Sequence, residues 1–270
     1  MEIIIPILLL AGIAVICAVL LTLSSIFFGV KENEKVTQVR DCLPGANCGA
    51  CGYSGCDGYA KALGEGATQV TNLCIPGGDK VSLAIADILG VRAEDVVEKV
   101  AYVACNGRCG TTQKKYDYEG PQSCAAVNLA FNGDKSCGWA CLGYGDCVKV
   151  CPQNAITIDG GVASIDPRKC IGCGICARQC PKDIIKLIPD TVKVVVECSN
   201  HEKGAITRKQ CTNGCIGCMK CQKTCQRGAI KVENNLAVID QTLCTGCGEC
   251  AKVCPVGCIH EGNFICGARF

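Results

Sequence analysis

Closely spaced cysteines dominate the chemistry that this sequence could support. The chain has 29 cysteines among 270 residues, a density typical of either a disulfide scaffold or a carrier of metal centres. Most stand in threes and fours with two residues between neighbours, which suits one metal centre better than disulfides across a fold. An odd count also fits poorly with complete disulfide pairing. We therefore interpret the thiols as reduced ligands on the cytoplasmic side.

Three segments carry the cysteine run of bacterial ferredoxins. In such a run three cysteines hold one four-iron four-sulfur cluster, and the fourth reaches the other cluster of a pair. The runs are Cys170, Cys173, Cys176, Cys180; Cys215, Cys218, Cys221, Cys225; and Cys244, Cys247, Cys250, Cys254. The threefold occurrence of this spacing predicts 4Fe-4S clusters.

A fourth run is incomplete. Cys141, Cys147 and Cys151 keep the ferredoxin spacing, but Tyr144 stands at the position of the second cysteine. Cys137 lies four residues before Cys141, so one helical turn would bring both sulfurs to the same side. We therefore predict that Cys137 takes the place of the missing ligand.

The runs belong to a tandem repeat. Cys170 recurs as Cys244 and Cys180 as Cys254, a constant offset of 74 residues. Pairing the runs within each repeat predicts four clusters. Their ligands would be Cys137, Cys141, Cys147 and Cys180; Cys170, Cys173, Cys176 and Cys151; Cys215, Cys218, Cys221 and Cys254; and Cys244, Cys247, Cys250 and Cys225.

A separate group of four cysteines precedes the repeats. Cys48, Cys51, Cys56 and Cys74 are separated by two, four and seventeen residues, and the glycines between them allow a tight wrap around a cluster. A tetrahedral zinc site would use the same ligands and is the alternative. The iron-sulfur type of the later runs favours a fifth 4Fe-4S cluster.

The remaining thiols leave a sixth cluster open. Cys105, Cys109 and Cys124 could hold it with Cys198 or Cys211 as the fourth ligand. Cys124 aligns with Cys198 at the same offset of 74, which places this pair in the repeat. The alternative is that these cysteines are buried free thiols. The sequence thus predicts five clusters, with a sixth as a hypothesis.

The amino-terminal segment has the composition of a membrane anchor. From Ile3 to Val30 it is apolar except for one threonine and two serines, longer than the roughly 20 residues that span a bilayer. It lacks the basic start and the short apolar core of a cleaved signal peptide. Lys31 and Lys35 follow it and place the rest of the chain in the cytoplasm. We predict one transmembrane helix in the cell (inner) membrane.

The predicted fold class is α+β, with one amino-terminal transmembrane helix, a small four-cysteine Fe-S domain and two tandem bacterial-ferredoxin-like domains. Residues 155–166 and 229–240 each predict two strands around a turn, and residues 79–90 predict an amphipathic helix. The predicted domains are a transmembrane anchor at 1–30, a four-cysteine 4Fe-4S domain at 31–95, and bacterial-ferredoxin-like domains, each for two clusters, at 96–190 and 191–270.

Composition excludes several classes of function. Aromatic residues make up only 4% of the chain, so the clusters should act as local cores and support folding. A net charge of +2 gives no support for nucleic-acid binding. The chain has no dinucleotide-binding Gly-x-Gly-x-x-Gly and no phosphate-binding loop. We expect no hydride-transfer or nucleotide site in it.

This order of motifs closely resembles the B subunit of the Rnf complex, over essentially the whole chain. The resemblance rests on an anchor, then Cys48-x-x-Cys51-x4-Cys56-x17-Cys74, then tandem ferredoxin pairs. It implies a membrane complex that moves electrons from reduced ferredoxin to NAD and exports sodium ions or protons. This subunit would accept electrons from soluble ferredoxin and pass them toward membrane and NAD-binding subunits. The four amino-terminal cysteines match the family's ligands, whereas Tyr144 departs from the plain run.

Two other functions fit the same motifs. A membrane-bound module could keep a redox regulator or another acceptor reduced without pumping ions. A free-standing polyferredoxin could store electrons, although the predicted anchor disfavours this.

Overall fold

The computed structural model describes residues 4–28 and 33–262, and within them helices and strands are mixed. This agrees with the predicted α+β class. The described ranges contain ten α-helices, most of them short. They are α1 (Ile4–Phe28), α2 (Glu34–Cys42), α3 (Cys56–Gly64), α4 (Gly78–Leu89), α5 (Cys124–Leu129), α6 (Asp146–Lys149), α7 (Ile175–Gln179), α8 (Gly204–Gln210), α9 (Lys220–Thr224) and α10 (Glu249–Lys252).

Eight strands in the same ranges form four antiparallel pairs, and one arrangement occurs twice. In each repeat an inner hairpin lies between the two runs, and an outer pair joins a strand before the first run to one after the second. The outer pairs are β1 (Lys99–Val103) with β4 (Ile185–Pro189) and β5 (Val194–Val196) with β8 (Ile259–Glu261); the inner pairs are β2 (Ile156–Asp159) with β3 (Val162–Ile165) and β6 (Ile230–Glu233) with β7 (Leu236–Ile239).

The inner hairpins confirm the strand prediction. Two residues in the left-handed conformation connect each pair of strands, Gly160 and Gly161 in the first repeat and Asn234 and Asn235 in the second. Glycine and asparagine are the residues that such two-residue turns favour, because both tolerate positive φ. The sequences Asp-Gly-Gly and Glu-Asn-Asn therefore fold alike.

A small helical unit lies amino-terminal to the repeats. Helices α2, α3 and α4 enclose a core in which Val39, Tyr59, Leu63 and Ile85 are almost completely buried. Helix α4 confirms the helix expected at 79–90. Cysteines border this core, so the packing of the unit and the geometry of its thiols are set together.

Cysteines also take part in the cores of both repeats. The first repeat buries Cys141, Cys147, Cys170 and Cys176 beside valine, alanine and isoleucine side chains. The second buries Cys215, Cys221 and Cys250 in the same way. This explains how units with few aromatic residues form cores at all.

The repeats are in contact with each other. The amide of Asn106 donates to the carbonyl of Glu197 at 3.1 Å, and the amide of Thr212 donates to the carbonyl of Thr111 at 2.9 Å. A small apolar cluster also joins Ile188 and Val192 to Val195. The first repeat therefore contacts the second through backbone hydrogen bonds and apolar packing.

The predicted membrane anchor forms helix α1 of 25 residues. Ile3, Gly29, Val30 and Lys31 lie outside the described residues. Across the ranges 4–28 and 33–262, no helix combines the length and apolarity needed to cross a membrane. The sequence-based prediction of a transmembrane helix is therefore not confirmed.

Candidate iron-sulfur sites

The four amino-terminal cysteines come together around the start of α3. Cys56 begins that helix, and its amide donates to Oδ1 of Asn47 at 2.9 Å. Cys74 directly precedes a turn of 3-10 helix, Ile75–Gly77. Burial raises the pKa of the Cys74 thiol to about 11, although a hydrogen bond from the Gly77 amide lowers it in part. The neighbouring thiols raise it further; they belong to Cys56, Cys48 and Cys51.

The second run of the first repeat borders a small cavity with four thiols. The lining cysteines are Cys151, Cys170, Cys173 and Cys176, as the sequence predicted. The amide of Ala155 lies 3.3 Å from Sγ of Cys151, and the amide of Ala101 lies 3.4 Å from Sγ of Cys170. Backbone N–H groups aimed at sulfur stabilise thiolates, which is what cluster ligands require.

The second repeat contains the corresponding cavity. Its lining cysteines are Cys225, Cys244, Cys247 and Cys250. Burial raises the pKa of Cys250, and the Cys244 and Cys247 thiols add to the rise. This group has the composition that the sequence predicted.

The first run of the second repeat gathers its predicted thiols and one more. Burial raises the pKa of Cys221 to about 11, and the thiols of Cys215, Cys218 and Cys254 contribute. Cys258 is buried beside this group, with its Sγ 3.6 Å from that of Cys254. A hydrogen bond from Cys258 lowers the pKa of Cys215 to about 6. Cys258 had no predicted role, because it stands outside every run.

The structure brings Cys124, and not the predicted Cys137, next to the incomplete first run. Burial raises the pKa of Cys147 to about 12, and the neighbouring thiols that raise it further include Cys124. Those neighbours are Cys141, Cys124, Cys176 and Cys180. The segment between Cys137 and Cys141 is a turn, so the helical argument for Cys137 fails. Cys124 is therefore the thiol that lies beside Cys141, Cys147 and Cys180.

Asp146 holds Cys124 near this run. Its buried carboxylate accepts from Oγ of Ser123 at 2.7 Å and from the amide of Ala125 at 3.1 Å, at the start of α5. Despite its burial, hydrogen bonds from Ser123, Ala125 and Cys124 keep the pKa of Asp146 below its usual value. An aspartate inside the run thereby fixes the helix that begins with the distant cysteine.

Tyr144 stands at the position of the missing cysteine and has a different role. Its hydroxyl donates to Oδ2 of Asp134 at 3.0 Å, and its ring meets that of Tyr118 edge to face. Burial, with help from Asp134, raises the pKa of Tyr144 to about 12, so the hydroxyl stays protonated. Tyr144 therefore supports the fold around the run.

Cys137 lies in a separate group between the repeats. A small cavity there is lined by four thiols, those of Cys105, Cys137, Cys198 and Cys211. Of the residues expected for a sixth cluster, Cys105, Cys198 and Cys211 are thus together. Cys124 belongs to the first run, and Cys109 is exposed. The joint position of Cys137 and Cys105 was not predicted from the sequence.

The donors fit iron-sulfur clusters. Every cysteine in the described part of the chain is a free thiol. Among the residues that the structure describes, no three His, Cys, Asp or Glu side chains converge where one metal ion could bind. The ligands of a four-iron cluster each bind their own iron, so they surround a space. The sulfur-lined cavities and the N–H groups directed at the sulfurs match that requirement.

Five of the six groups follow one another through the protein, and the sixth packs in the same core as the fifth. Burial raises the pKa of Cys173, and among the neighbouring thiols that of Cys48 contributes most; Cys176 is likewise a neighbour of Cys147. The amide of Cys141 lies 3.4 Å from Sγ of Cys105. In the second repeat, the amide of Cys215 lies 3.3 Å from Sγ of Cys198. The amino-terminal group thus begins a row that runs through the first repeat to the second.

Three family models match the chain. An Fe-S cluster family matches residues 43–76, a 4Fe-4S dicluster domain matches residues 136–184, and a 4Fe-4S binding domain matches residues 237–260. These matches support iron-sulfur domains of ferredoxin type. Cys105, Cys198 and Cys211 lie outside all three.

Curated relatives cover most of the chain. The B subunit of the Na⁺-translocating ferredoxin:NAD⁺ oxidoreductase complex of Acetobacterium woodii is 42% identical over 88% of this chain and 72% of its own length. The B subunit of the proton-translocating complex of Clostridium ljungdahlii is 42% identical over 80% and 76%. The B subunit of an ion-translocating oxidoreductase complex of Methanosarcina acetivorans is 37% identical over 86% and 88%.

Proposed function

Because the chain belongs to the family of B subunits of Rnf-type, ion-translocating ferredoxin:NAD⁺ oxidoreductase complexes, we propose that it relays electrons from reduced ferredoxin toward the partner subunits of such a complex. It is an electron-transfer subunit of an oxidoreductase. The observation that carries the relay is the continuous row of cysteine groups through both repeats.

The residues of this chain perform three tasks in the relay. They would hold five 4Fe-4S clusters in the amino-terminal unit and the repeats, and a bound cluster supplies one-electron redox chemistry. Burial excludes water from about half of the sulfurs, and backbone amides stabilise the charge of several. The chain supplies no dinucleotide-binding motif, so the site where NAD is reduced would lie on a partner.

Electrons would enter at the second repeat and leave at the amino-terminal unit. Cys218 and Cys247 of the second repeat are exposed, whereas Cys170, Cys173 and Cys176 in the second run of the first repeat are buried. An exposed ligand gives a soluble donor the closest approach. The amino-terminal unit follows directly after the apolar segment 3–30, so the other end of the row would lie nearest to the membrane.

The membrane attachment is proposed from the sequence. An apolar stretch of this length is long enough to span a bilayer, and Lys35 follows it on the cytoplasmic side. Domains at 31–95, 96–190 and 191–270 would then lie in the cytoplasm, where reduced thiols persist. Reaction of Cys109, which is exposed, with a membrane-impermeant maleimide in inverted but not in right-side-out vesicles would support this orientation.

Ferredoxin-dependent NAD reduction tests the function. Membranes from a strain that lacks this chain should lose the activity, and adding back the gene should restore it. A variant of the exposed Cys109, Cys109→Ala, provides the matched control because it removes a thiol outside the six groups. Undiminished activity in membranes without the chain would contradict the proposal and favour a reducing module for another acceptor.

A further inference from the structure

We propose that Cys105, Cys137, Cys198 and Cys211 hold a sixth 4Fe-4S cluster between the two ferredoxin-like repeats. Nothing in the family models assigns these four residues to one site. Three features support the cluster: the symmetric placement of the cysteines, the space they enclose, and the groups directed at their sulfurs.

Cys105 and Cys198 occupy equivalent positions in the two repeats. The residue before each cysteine bonds to the residue that directly precedes the last strand of its repeat, β4 or β8. The amide of Ala104 donates to the carbonyl of Ile184 at 2.7 Å, and that of Glu197 donates to the carbonyl of Cys258 at 2.8 Å. Ile184 and Cys258 are 74 residues apart, so they are counterparts. Each cysteine therefore lies two residues after the end of its strand, Cys105 after β1 and Cys198 after β5.

The sulfurs of these two cysteines receive the same hydrogen bonds. Sγ of Cys105 accepts from the amide of Gly107 at 3.4 Å, and Sγ of Cys198 accepts from that of Asn200 at 3.5 Å. Each also accepts from the amide of the first cysteine in its own run. Two N–H donors per sulfur are the environment of a thiolate ligand.

Cys137 and Cys211 form a second equivalent pair. Each lies four residues before the first cysteine of its run, and both are buried. The carbonyl of Cys137 accepts from the amide of Ala140 at 3.1 Å, and that of Cys211 accepts from the amide of Gly214 at 3.3 Å. The four thiols are thus two symmetric pairs, and each repeat contributes one member of each pair.

The four cysteines line one small cavity, in which the thiol of Cys137 neighbours those of Cys105 and Cys211 and the thiol of Cys198 neighbours that of Cys137. A Cβ placed on Gly107 would lie 3.4 Å from Sγ of Cys105 and 3.9 Å from Sγ of Cys211, so the missing side chain leaves room between them. Asn200 is fully buried; its Nδ2 lies 3.4 Å from Sγ of Cys137, and its amide donates to Cys198. One asparagine therefore donates to a sulfur of each repeat.

A buried cation lies at the edge of the site, bonded to the carbonyl of the cavity-lining Gly107. Lys135 is 8% exposed, and its Nζ donates to the carbonyl of Gly161 at 2.7 Å and to that of Gly107 at 3.4 Å. Four thiolates around a cluster carry net negative charge, which a buried ammonium offsets.

The position of the site suits electron transfer between the two repeats. Through Cys105 it adjoins the first run of the first repeat, and through Cys198 it adjoins the first run of the second repeat. Electron transfer weakens steeply with distance, so a cluster here would join two pairs that are otherwise separated by protein. Its role in the relay rests on the proposed function, whereas its presence does not.

Counting iron in paired variants of the purified, reconstituted chain tests the site. Six clusters correspond to about 24 irons per chain. The double variant Cys137→Ala/Cys211→Ala should hold about 20, because both residues serve one cluster. Adding Cys124→Ala should lower the count to about 16, since Cys124 serves another. The control Cys109→Ala should leave the count unchanged.

Spin counting by electron paramagnetic resonance of the reduced protein gives a second readout. The Cys137→Ala/Cys211→Ala variant should lose the signal of one cluster and keep the others. If that variant fails to fold, the single variant Cys211→Ala should still lose iron or show a three-iron signal. Unchanged iron and spin in Cys211→Ala, or one zinc ion per chain in place of four irons, would overturn the proposal.

Activity separates this proposal from the proposed function. Loss of four irons with loss of ferredoxin-dependent NAD reduction would support both. Loss of four irons with full activity would support the presence of the cluster in the parent protein. It would also show that electron transfer does not pass through it. Unchanged iron would overturn the cluster alone.

Discussion

The two ferredoxin-like repeats place different cysteines beside their first runs. The second repeat uses Cys218 within its run, whereas the first has Tyr144 there and brings in Cys124. Cys124 lies in an insertion: 31 residues separate Cys105 from Cys137, but only 12 separate Cys198 from Cys211. A ligand position can therefore move out of the regular spacing when an added segment supplies the thiol and a buried carboxylate holds it.

Removing the fourth thiol from each repeat should have the largest effect. Cys124→Ala and Cys218→Ala should each lose about four irons per chain, because each residue is the fourth ligand of a four-iron site. Iron analysis of the purified chain measures this, with exposed Cys109→Ala as the control. Full iron in Cys124→Ala would show that the repeats do not compensate in this way.

Restoring the plain spacing in the first repeat should make Cys124 dispensable. Tyr144→Cys places a thiol at the counterpart of Cys218, so the double variant Cys124→Ala/Tyr144→Cys should regain the four irons that Cys124→Ala loses. The rescue is best read by iron content and visible absorbance. Tyr144→Ser in the same background is the matched control and should not rescue.

Removing the support of Cys124 should have a moderate effect. Asp146→Asn keeps the shape of the side chain but removes the charge of the carboxylate that accepts from Ser123 and Ala125. Hydrogen bonds to a charged group stabilise a fold by about 1.5 to 3 kcal/mol, so the variant should lose stability of this order. The visible absorbance should bleach at a lower temperature. Lys220 is the counterpart of Asp146 and is exposed, so Lys220→Gln should bleach like the parent. Equal bleaching in Asp146→Asn would mean that α5 needs no such anchor.

The sequence predicted the parts of this fold that depend on local spacing. The complete runs, the hairpins at 155–166 and 229–240 and helix α4 follow from cysteine spacing, turn residues and apolar periodicity. Each is fixed by residues close together in the chain. The same local reasoning grouped the thiols of the complete runs as the structure does.

The parts that depend on distant contacts were not predicted. A single offset of 74 aligned Cys124 with Cys198, but the insertion of 19 residues makes Cys105 the true counterpart of Cys198. The helical argument for Cys137 assumed a local partner, whereas its neighbours belong partly to the other repeat. No spacing within one repeat contains that information.

The smallest expected effect concerns the backbone that precedes α6 and α9. Gly145 and its counterpart Met219 both adopt positive φ, at 77° and 59°. A side chain at positive φ lowers the stability of the folded state by about 1 kcal/mol. Replacing it by glycine removes that cost, but the greater entropy of glycine in the unfolded chain cancels part of the gain. Met219 is 47% exposed and makes little packing to lose. We expect Met219→Gly to raise the bleaching temperature by about 1 to 2 °C.

The reverse change in the first repeat sharpens the same comparison. A Cβ on Gly145 would meet only ordinary contacts at 3.8 Å or more, so Gly145→Met tests the backbone conformation and not a clash. It should lower the bleaching temperature by about 1 to 2 °C, because methionine meets the same backbone cost and offsets part of it by restricting the unfolded chain. Because the two changes exchange the residues of equivalent positions, shifts of the same sign would show that φ is not what distinguishes the repeats here.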